Sequence, residues 1–342
     1  MESQMQTDAA ASAAGIPGLV IRPYGGEADL PEVARIQSAE WEADGVSERA
    51  SVDALRAWWG NPSEQFDPAR DVDMVEVDGH VAAVTQRDWV DATDGVREYR
   101  GRGWIEPAFR RRGIGRMLLA RNEALQRTLA ASHDTDRPLV LGMGGPETNL
   151  GAQALARAFG YEPARWFADM ERSLLDDLPE IPSMPDGLEV RPASADQARK
   201  IWEADQDAFQ DHWGGWDRSD ASFRRWIESP DFAPELMVVA WDGDEVAGAV
   251  LNAIYPEENE KLGVSRGWLD SVFTRRAWRR RGLARALIVR SLHLLGDRGL
   301  ATAALGVDAD NPSGAFGLYE SAGFRPTERF VAWRKPMHGP DR

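Results

Sequence analysis

The chain repeats itself. Ile21-Arg22-Pro23 returns as Val190-Arg191-Pro192, and Arg110-Arg111-Arg112-Gly113-Ile114-Gly115-Arg116 returns as Arg279-Arg280-Arg281-Gly282-Leu283-Ala284-Arg285, both 169 positions later. Between these anchors Trp58 is echoed by Trp226 and the Asp78-Gly79 turn by Asp242-Gly243. After them, Phe159-Gly160-Tyr161-Glu162-Pro163 is echoed loosely by Gly323-Phe324-Arg325-Pro326. A repeat of this length is a duplicated domain, not the roughly 20–50-residue unit of a solenoid. The fold must therefore fit twice into 342 residues. The joint is LLDDLPEIPSMPDG, whose prolines and acids give it linker composition. The expected organisation is a small-residue tail over 1–17, a first domain over 18–176, a linker over 177–186 and a second domain over 187–337.

Composition narrows the chemistry. With no cysteine, disulfides, thiol nucleophiles and Cys-ligated metals are excluded. None of the five histidines lies at metal-ligand spacing, so no metal is expected. The formal net charge of -16 argues against nucleic-acid or anionic-membrane partners and suits a cationic one. No apolar run approaches the ~18 residues of a membrane span, and the N-terminus lacks the features of a signal peptide, so a cytoplasmic location is expected.

The second half reads as an alternation of strands and helices. Leu188–Arg191 is a strand, Ser194–Asp211 and Ser219–Ile227 are helical, and Leu236–Trp241 with Glu245–Ala253 form a hairpin. Gly267–Thr274 is a strand, Leu283–Leu295 an amphipathic helix closed by Gly296 and Gly299, and Ala303–Val307 a buried-type strand. Pro312–Ser321 is helical and Phe330–Arg334 a last strand. This order defines an α/β (α+β) domain with a mixed, mostly antiparallel sheet flanked by helices.

Each half sets a Gly-containing, Arg-rich loop between a strand and an amphipathic helix. Such a helix start exposes backbone N–H groups and the positive end of its dipole, which suits a pyrophosphate. Gly282 permits close approach, Ala284 keeps the first turn uncrowded, and Arg279, Arg280, Arg281 and Arg285 supply charge. Taken alone, the loop reads either as an anion cradle or as basic surface. Arg-x-x-Gly-x-Gly/Ala after a strand resembles motif A of the GNAT-type N-acetyltransferases. Asn311 to Phe324 looks like their motif B, Asn-x-x-Ala-x-x-Leu-Tyr-x-x-x-Gly-Phe. The likeness covers the second half end to end and the first half more weakly, making the chain a tandem member with two GNAT-like domains.

The resemblance implies acetyl-CoA as cosubstrate, held by Arg279 to Arg285, with Leu283 in the loop. Val272, Phe273 and Thr274 would offer backbone hydrogen bonds to the pantetheine arm and acetyl carbonyl, and Asn311 would hold the pantetheine or orient the next helix. Tyr319 would be the acid that protonates the departing thiolate. Asp270 is a candidate base, placed by period-two alternation on the face of Val272 and Thr274, with a surface carboxylate as the other reading. His212 is a second candidate. Trp213 and Trp216 wall an acceptor pocket or cover core, and Glu203 with Asp207 bind an ammonium or form a solvated face.

The halves are not equivalent. Where Tyr319 stands the first half has Ala156, and where Asp270 stands it has Gly101. Arg110, Arg111, Arg112, Gly113, Ile114 and Gly115 nonetheless keep the phosphate loop. This asymmetry is similar in architecture to the mycothiol synthases, tandem members whose C-terminal half does the chemistry. The expected function is direct acetyl transfer to a primary amine of a small molecule by the C-terminal domain. The alternatives are another acyl donor or a hydroxyl acceptor on the same fold, or a non-enzymatic acyl-CoA sensor. The sequence leaves open whether the protein is a monomer or a homodimer.

Overall fold

The computed structural model describes residues 15–311 and 314–337. Residues 1–14 of the expected tail, and Pro312-Ser313 of the motif B segment, lie outside the described residues. The chain divides into two compact units. The first takes the chain up to Arg165, Gly214–Ala221 and everything from Phe330; the second takes Trp166–Trp213 and Ser222–Arg329.

The first unit carries β1 (Leu19–Pro23), β2 (Val72–Val77), β3 (His80–Asp91), β4 (Arg97–Ile105) and β5 (Leu139–Pro146). Neighbours pair antiparallel except β4 and β5, which are parallel. Val77 and His80 pair across Asp78-Gly79, both at positive φ, the two-residue turn that matches strand twist. The second unit carries β6 (Glu162–Ser173), β7 (Glu189–Pro192), β8 (Val238–Asp242), β9 (Glu245–Ile254), β10 (Arg266–Thr274) and β11 (Thr302–Asp308). Here β7, β8, β9 and β10 pair antiparallel in sequence, β10 and β11 are parallel, and β11 pairs antiparallel with β6. The last strand, β12 (Arg325–Pro336), pairs through Phe330–Pro336 with β5. The final strand of each repeat thus joins the sheet built by the other repeat's sequence. Pairing of partner edges leaves no trace in a strand's own residues, so the sequence placed Phe330–Arg334 with the second half.

In the second unit both sheet faces are covered. Helix Leu283–Asp297 packs Leu283, Leu287 and Leu295 against Leu269 and Leu305 on one face. Helix Ala198–Ala208 packs Ile201, Ala204 and Ala208 against Val239 and Phe273 on the other. The helix runs through Gly296 to Asp297 rather than closing there, and Gly299 at φ 80 follows. One α-helix of the second unit had no counterpart in the sequence reading: helix Pro256–Leu262, started by Pro256, weighted with Glu257 and Glu258 in its first turn, and ended by Gly263 at φ 66.

Leu287 is fully buried at the centre of the larger cluster. Leu287→Ala is expected to cost about 2–5 kcal/mol of unfolding free energy in urea denaturation. A loss under about 1 kcal/mol would contradict the packing described.

Candidate active site

The site is built on β10. This strand pairs with β11 only over Arg266–Trp268, whereas β11 runs on to Asp308. From Leu269 onward the two parallel strands part, and among the described residues the β10 edge facing β11 has no ladder partner. Crevices at the carboxyl ends of parallel strands are the usual ligand positions of open α/β sheets. Val272, Phe273 and Thr274 lie on this parted stretch, paired on their other side with Val250, Ala249 and Gly248 of β9. The Thr274 hydroxyl is buried without a hydrogen-bond partner among the described residues.

On the β9 side, Leu269 pairs with Asn252 but Ser271 pairs with Leu251, so Asp270 is the extra residue of a β-bulge. The bulge breaks the alternation. Leu269 faces the helix Leu283–Asp297, while Phe273, four residues on, faces the helix Ala198–Ala208. Asp270 and Ser271 both reach the latter side, and Val272 packs with the opposite cluster. The expected shared face of Asp270 and Val272 is therefore corrected: one inserted residue inverts the pattern that simple alternation reads.

Asp270 and Ser271 line a cavity of about 280 Å³ with Asp205, Asp231 and Tyr255, walled by Trp202, Trp226 and Phe232. Tyr255 Oη donates to Asp270 Oδ2, and Ser271 Oγ donates to Asp205 Oδ1 at 2.5 Å. The Asp270 side chain is open to solvent through the cavity but enclosed by protein on its other sides. Loss of bulk water pushes its carboxyl up to about 6, against the lowering effect of the Tyr255 hydroxyl. Burial likewise raises Asp205 to about 6, with the Ser271 hydroxyl opposing it. Burial raises Asp231 as well, with Glu257 and Glu258 adding to the shift.

At the end of β10 the chain enters the arginine loop. Arg280 at φ 62 and Gly282 at φ 83 are both left-handed, and the first repeat matches them with Arg111 at φ 65 and Gly113 at φ 91. A left-handed arginine costs of order 1 kcal/mol, so its recurrence marks a backbone shape that both loops require. Neither Gly113 nor Gly282 caps its helix, so among the described residues no cap side chain claims the first N–H groups from Ile114 and Leu283 onward. Arg280 and Arg281 are exposed. Arg279 is differently occupied: it donates to the carbonyls of Thr274 (3.0 Å) and Ala208 (2.9 Å) and pairs with Asp211 at 3.0 Å. Hydrogen bonds from Arg276 and then Arg279 hold the Asp211 carboxyl down at about 2. Arg110 of the first unit is engaged alike, with Asp44 at 2.6 Å. Arg285 reaches Ser321 at 3.0 Å, Arg112 lies over the Phe109 ring, Leu283 is buried, and Ala284 is half-buried. Gly115 sits against Ile105 and Leu155, where a Cβ would meet both at 3.4 Å.

Tyr319 lies on helix Ala315–Ser321, 7 % exposed, its ring 6.1 Å from Phe324. Burial raises its phenol well above the usual range, so it keeps its proton at neutral pH. Asn311 is half-buried just ahead of this helix, its N–H donating to the Asp308 carbonyl. His212 does not line the cavity; its Nδ1 lies 3.0 Å from the Trp213 carbonyl and its ring against Phe209. Trp213 packs on Phe167, and Trp216 belongs to the first unit, under Arg218. Of the expected acidic pair, Glu203 is exposed and Asp207 binds Arg275 at 2.8 Å. The sequence reading missed Asp205, although Ile201, Ala204, Asp205 and Ala208 form one helical stripe in which it is the single acid. Tyr255 and Asp231 carried no comparable signal.

In the first unit, Ala156 is fully buried and Gly101 stands in a β4 whose pairing with β3 has no register shift. Among the described residues no group of three or more His, Asp or Glu is arranged to hold a metal, and no helix is long and apolar enough to cross a membrane.

Comparison with known proteins agrees with this architecture. Residues 198–324 match the Acetyltransferase (GNAT) family. A mycothiol acetyltransferase of Geodermatophilus obscurus is 30% identical over 90% of this chain and 94% of its own length. One of Clavibacter michiganensis subsp. michiganensis is 34% identical over 68% of this chain and 70% of its own. Among solved structures, a GCN5-related N-acetyltransferase from Sphaerobacter thermophilus superposes with a TM-score of 0.68 at 26% identity, covering 95% of this chain and 98% of that one. A tandem GNAT protein from the clavulanic acid biosynthesis pathway shares the fold, with a TM-score of 0.66 at 17% identity over 94% of this chain and all of that one. The chain belongs to the GNAT acetyltransferase family, and the family in general uses acetyl-CoA.

The Asp205 carboxyl titrates higher in the fold than its usual 3.8. Its raised value adds stability that is fully present below that figure and lost as pH rises through about 6. Asp205→Asn should therefore gain melting temperature relative to wild type between pH 4 and pH 7 in thermal melts. A difference that is constant with pH would contradict the burial described.

Proposed function

We propose that the C-terminal unit transfers the acetyl group of acetyl-CoA to a primary amine seated in the cavity beside Asp270. The observation that carries this reading is the bulge. There a carboxylate and its neighbour Ser271 line one cavity on the same strand whose far end leads into the arginine-flanked helix start. The thioester supplies the acetyl group when bound. Arg280, Arg281 and the N–H groups from Leu283 onward would hold its phosphates, and the free β10 edge over Val272, Phe273 and Thr274 would take the pantetheine arm.

The chain's own groups then divide two proton transfers. The amine nitrogen forms its bond to the acetyl carbon and gives a proton to Asp270, while the bond to sulfur breaks and Tyr319 gives its proton to the leaving sulfur. The absence of cysteine supports direct attack, since no thiol is present to carry the acyl group. Among the described residues lining the cavity none is basic, and three are aspartates, which favours a cationic acceptor over an acid or a neutral alcohol. The acceptor used by the mycothiol acetyltransferases is the first to assay. Ala156 and Gly101 support a first unit that binds or scaffolds without doing the chemistry.

Tyr319→Phe should lower kcat by about 10²–10⁴ while leaving acetyl-CoA affinity unchanged by calorimetry. Unchanged turnover would remove Tyr319 from the chemistry. An absence of turnover in the wild type despite tight acetyl-CoA binding would favour a sensor. Asp270→Asn should abolish the rise of kcat through pH 6, because the carboxylate must be ionised to accept a proton.

A further inference from the structure

Asp270 is met from four directions. Tyr255 reaches it from the end of β9, Asp231 from the loop after helix Asp220–Ile227, Asp205 from helix Ala198–Ala208 and Glu258 from helix Pro256–Leu262. Among the described residues only Tyr255 hydrogen-bonds the Asp270 carboxylate, and it does so through Oδ2. Oδ1 has no hydrogen-bond partner among the described residues. The backbone behind Tyr255 is fastened to the start of β10 more than once. The Tyr255 carbonyl closes the first turn of its helix on the Asn259 N–H at 2.9 Å. Asn259 Nδ2 donates to the Arg266 carbonyl at 2.8 Å, and the Arg266 N–H returns a bond to Asn259 Oδ1 at 3.3 Å. Arg266, 3 % exposed, pairs with Glu258 of the same helix at 2.8 Å. The elements carrying the phenol and the carboxylate are thus tied together independently of the bond between the two side chains.

We infer that Tyr255 is a positioning residue for Asp270: its hydroxyl fixes one carboxylate oxygen so that the other faces the acceptor, and it keeps the carboxylate ionised among acidic neighbours. The inference rests on reading Asp270 as the group that takes the acceptor's proton. A bulged residue has no alternating neighbour to set its rotamer, so a side-chain donor is the remaining means of orienting it. A donor to the charged form favours that form, which counters both the lost solvent and the like charges of Asp231 and Glu258. The phenol itself, driven well above its ordinary range by burial and then by Asp270, keeps its proton throughout and accepts none.

The test is Tyr255→Phe, which keeps the ring and removes the donor. Carboxyl carbon NMR of ¹³C-aspartate-labelled protein, with the signal assigned by its loss in Asp270→Asn, reads the midpoint of Asp270 directly. The midpoint is expected to rise by about half a pH unit or more, with kcat at pH 6 falling about twofold or more and recovering by pH 8. An unmoved midpoint with unchanged kcat would reduce Tyr255 to packing and overturn the inference. An unmoved midpoint with kcat lost at every pH would overturn it too, placing the phenol on the substrate. A raised midpoint alongside full activity in Asp270→Asn would sustain the pairing and remove Asp270 from the chemistry, so the two readings fail separately.

Discussion

One inserted residue in β10 sets what this site can do. Without the bulge, alternation from Leu269 would send Ser271 and Phe273 toward the helix Leu283–Asp297 and Val272 toward the helix Ala198–Ala208. With it, Asp270 and Ser271 both face the cavity, and the remaining stretch to Thr274 runs on to the arginine loop. The bulge also coincides with the parting of β10 from β11, which occurs just one residue earlier in the strand. A carboxylate on one side and a free backbone edge on the other are then held by a single rigid element, which preorganises groups better than loops can.

The two repeats share the loop proposed to bind an anion and differ in the groups proposed to move protons. Both keep a left-handed arginine, a left-handed glycine and an uncapped helix start, and both clamp the first loop arginine to an aspartate. Among the described residues, the β10 bulge, the cavity lined by Asp205, Asp231 and Asp270, and Tyr319 belong to the second repeat, while the matching positions of the first hold Gly101 and Ala156. Duplication leaves two copies of the loop, and the proposed chemistry requires only one of them to be furnished with an acid and a base.

Much of this was legible in the sequence because it is local. The arginine–glycine loops, the Asp78-Gly79 turn and the stripe of helix Leu283–Asp297 each depend on residues close in the chain. The second hairpin was placed one residue early: Asp242 pairs with Glu245, so the turn is Gly243-Asp244. What escaped depends on partners. A bulge is defined by the strand opposite, and neither Asp270 nor its neighbours encode that Ser271 faces Leu251. The exchange of β6 and β12 is invisible for the same reason. Asp205 was recoverable, being the one acid in an apolar helical stripe, and was passed over for the exposed pair Glu203 and Asp207. Helix Pro256–Leu262 had a start and stop signal but too few apolar residues to announce itself by periodicity.

The central claim is that the second unit performs the transfer. Gly113→Glu and Gly282→Glu place a carboxylate, at a strained left-handed position, in front of one helix start each. Acetyl transfer by the two variants, measured side by side at saturating acceptor, separates the units. The account predicts that Gly282→Glu loses transfer and Gly113→Glu retains it. Transfer that survives Gly282→Glu and is lost in Gly113→Glu would contradict it.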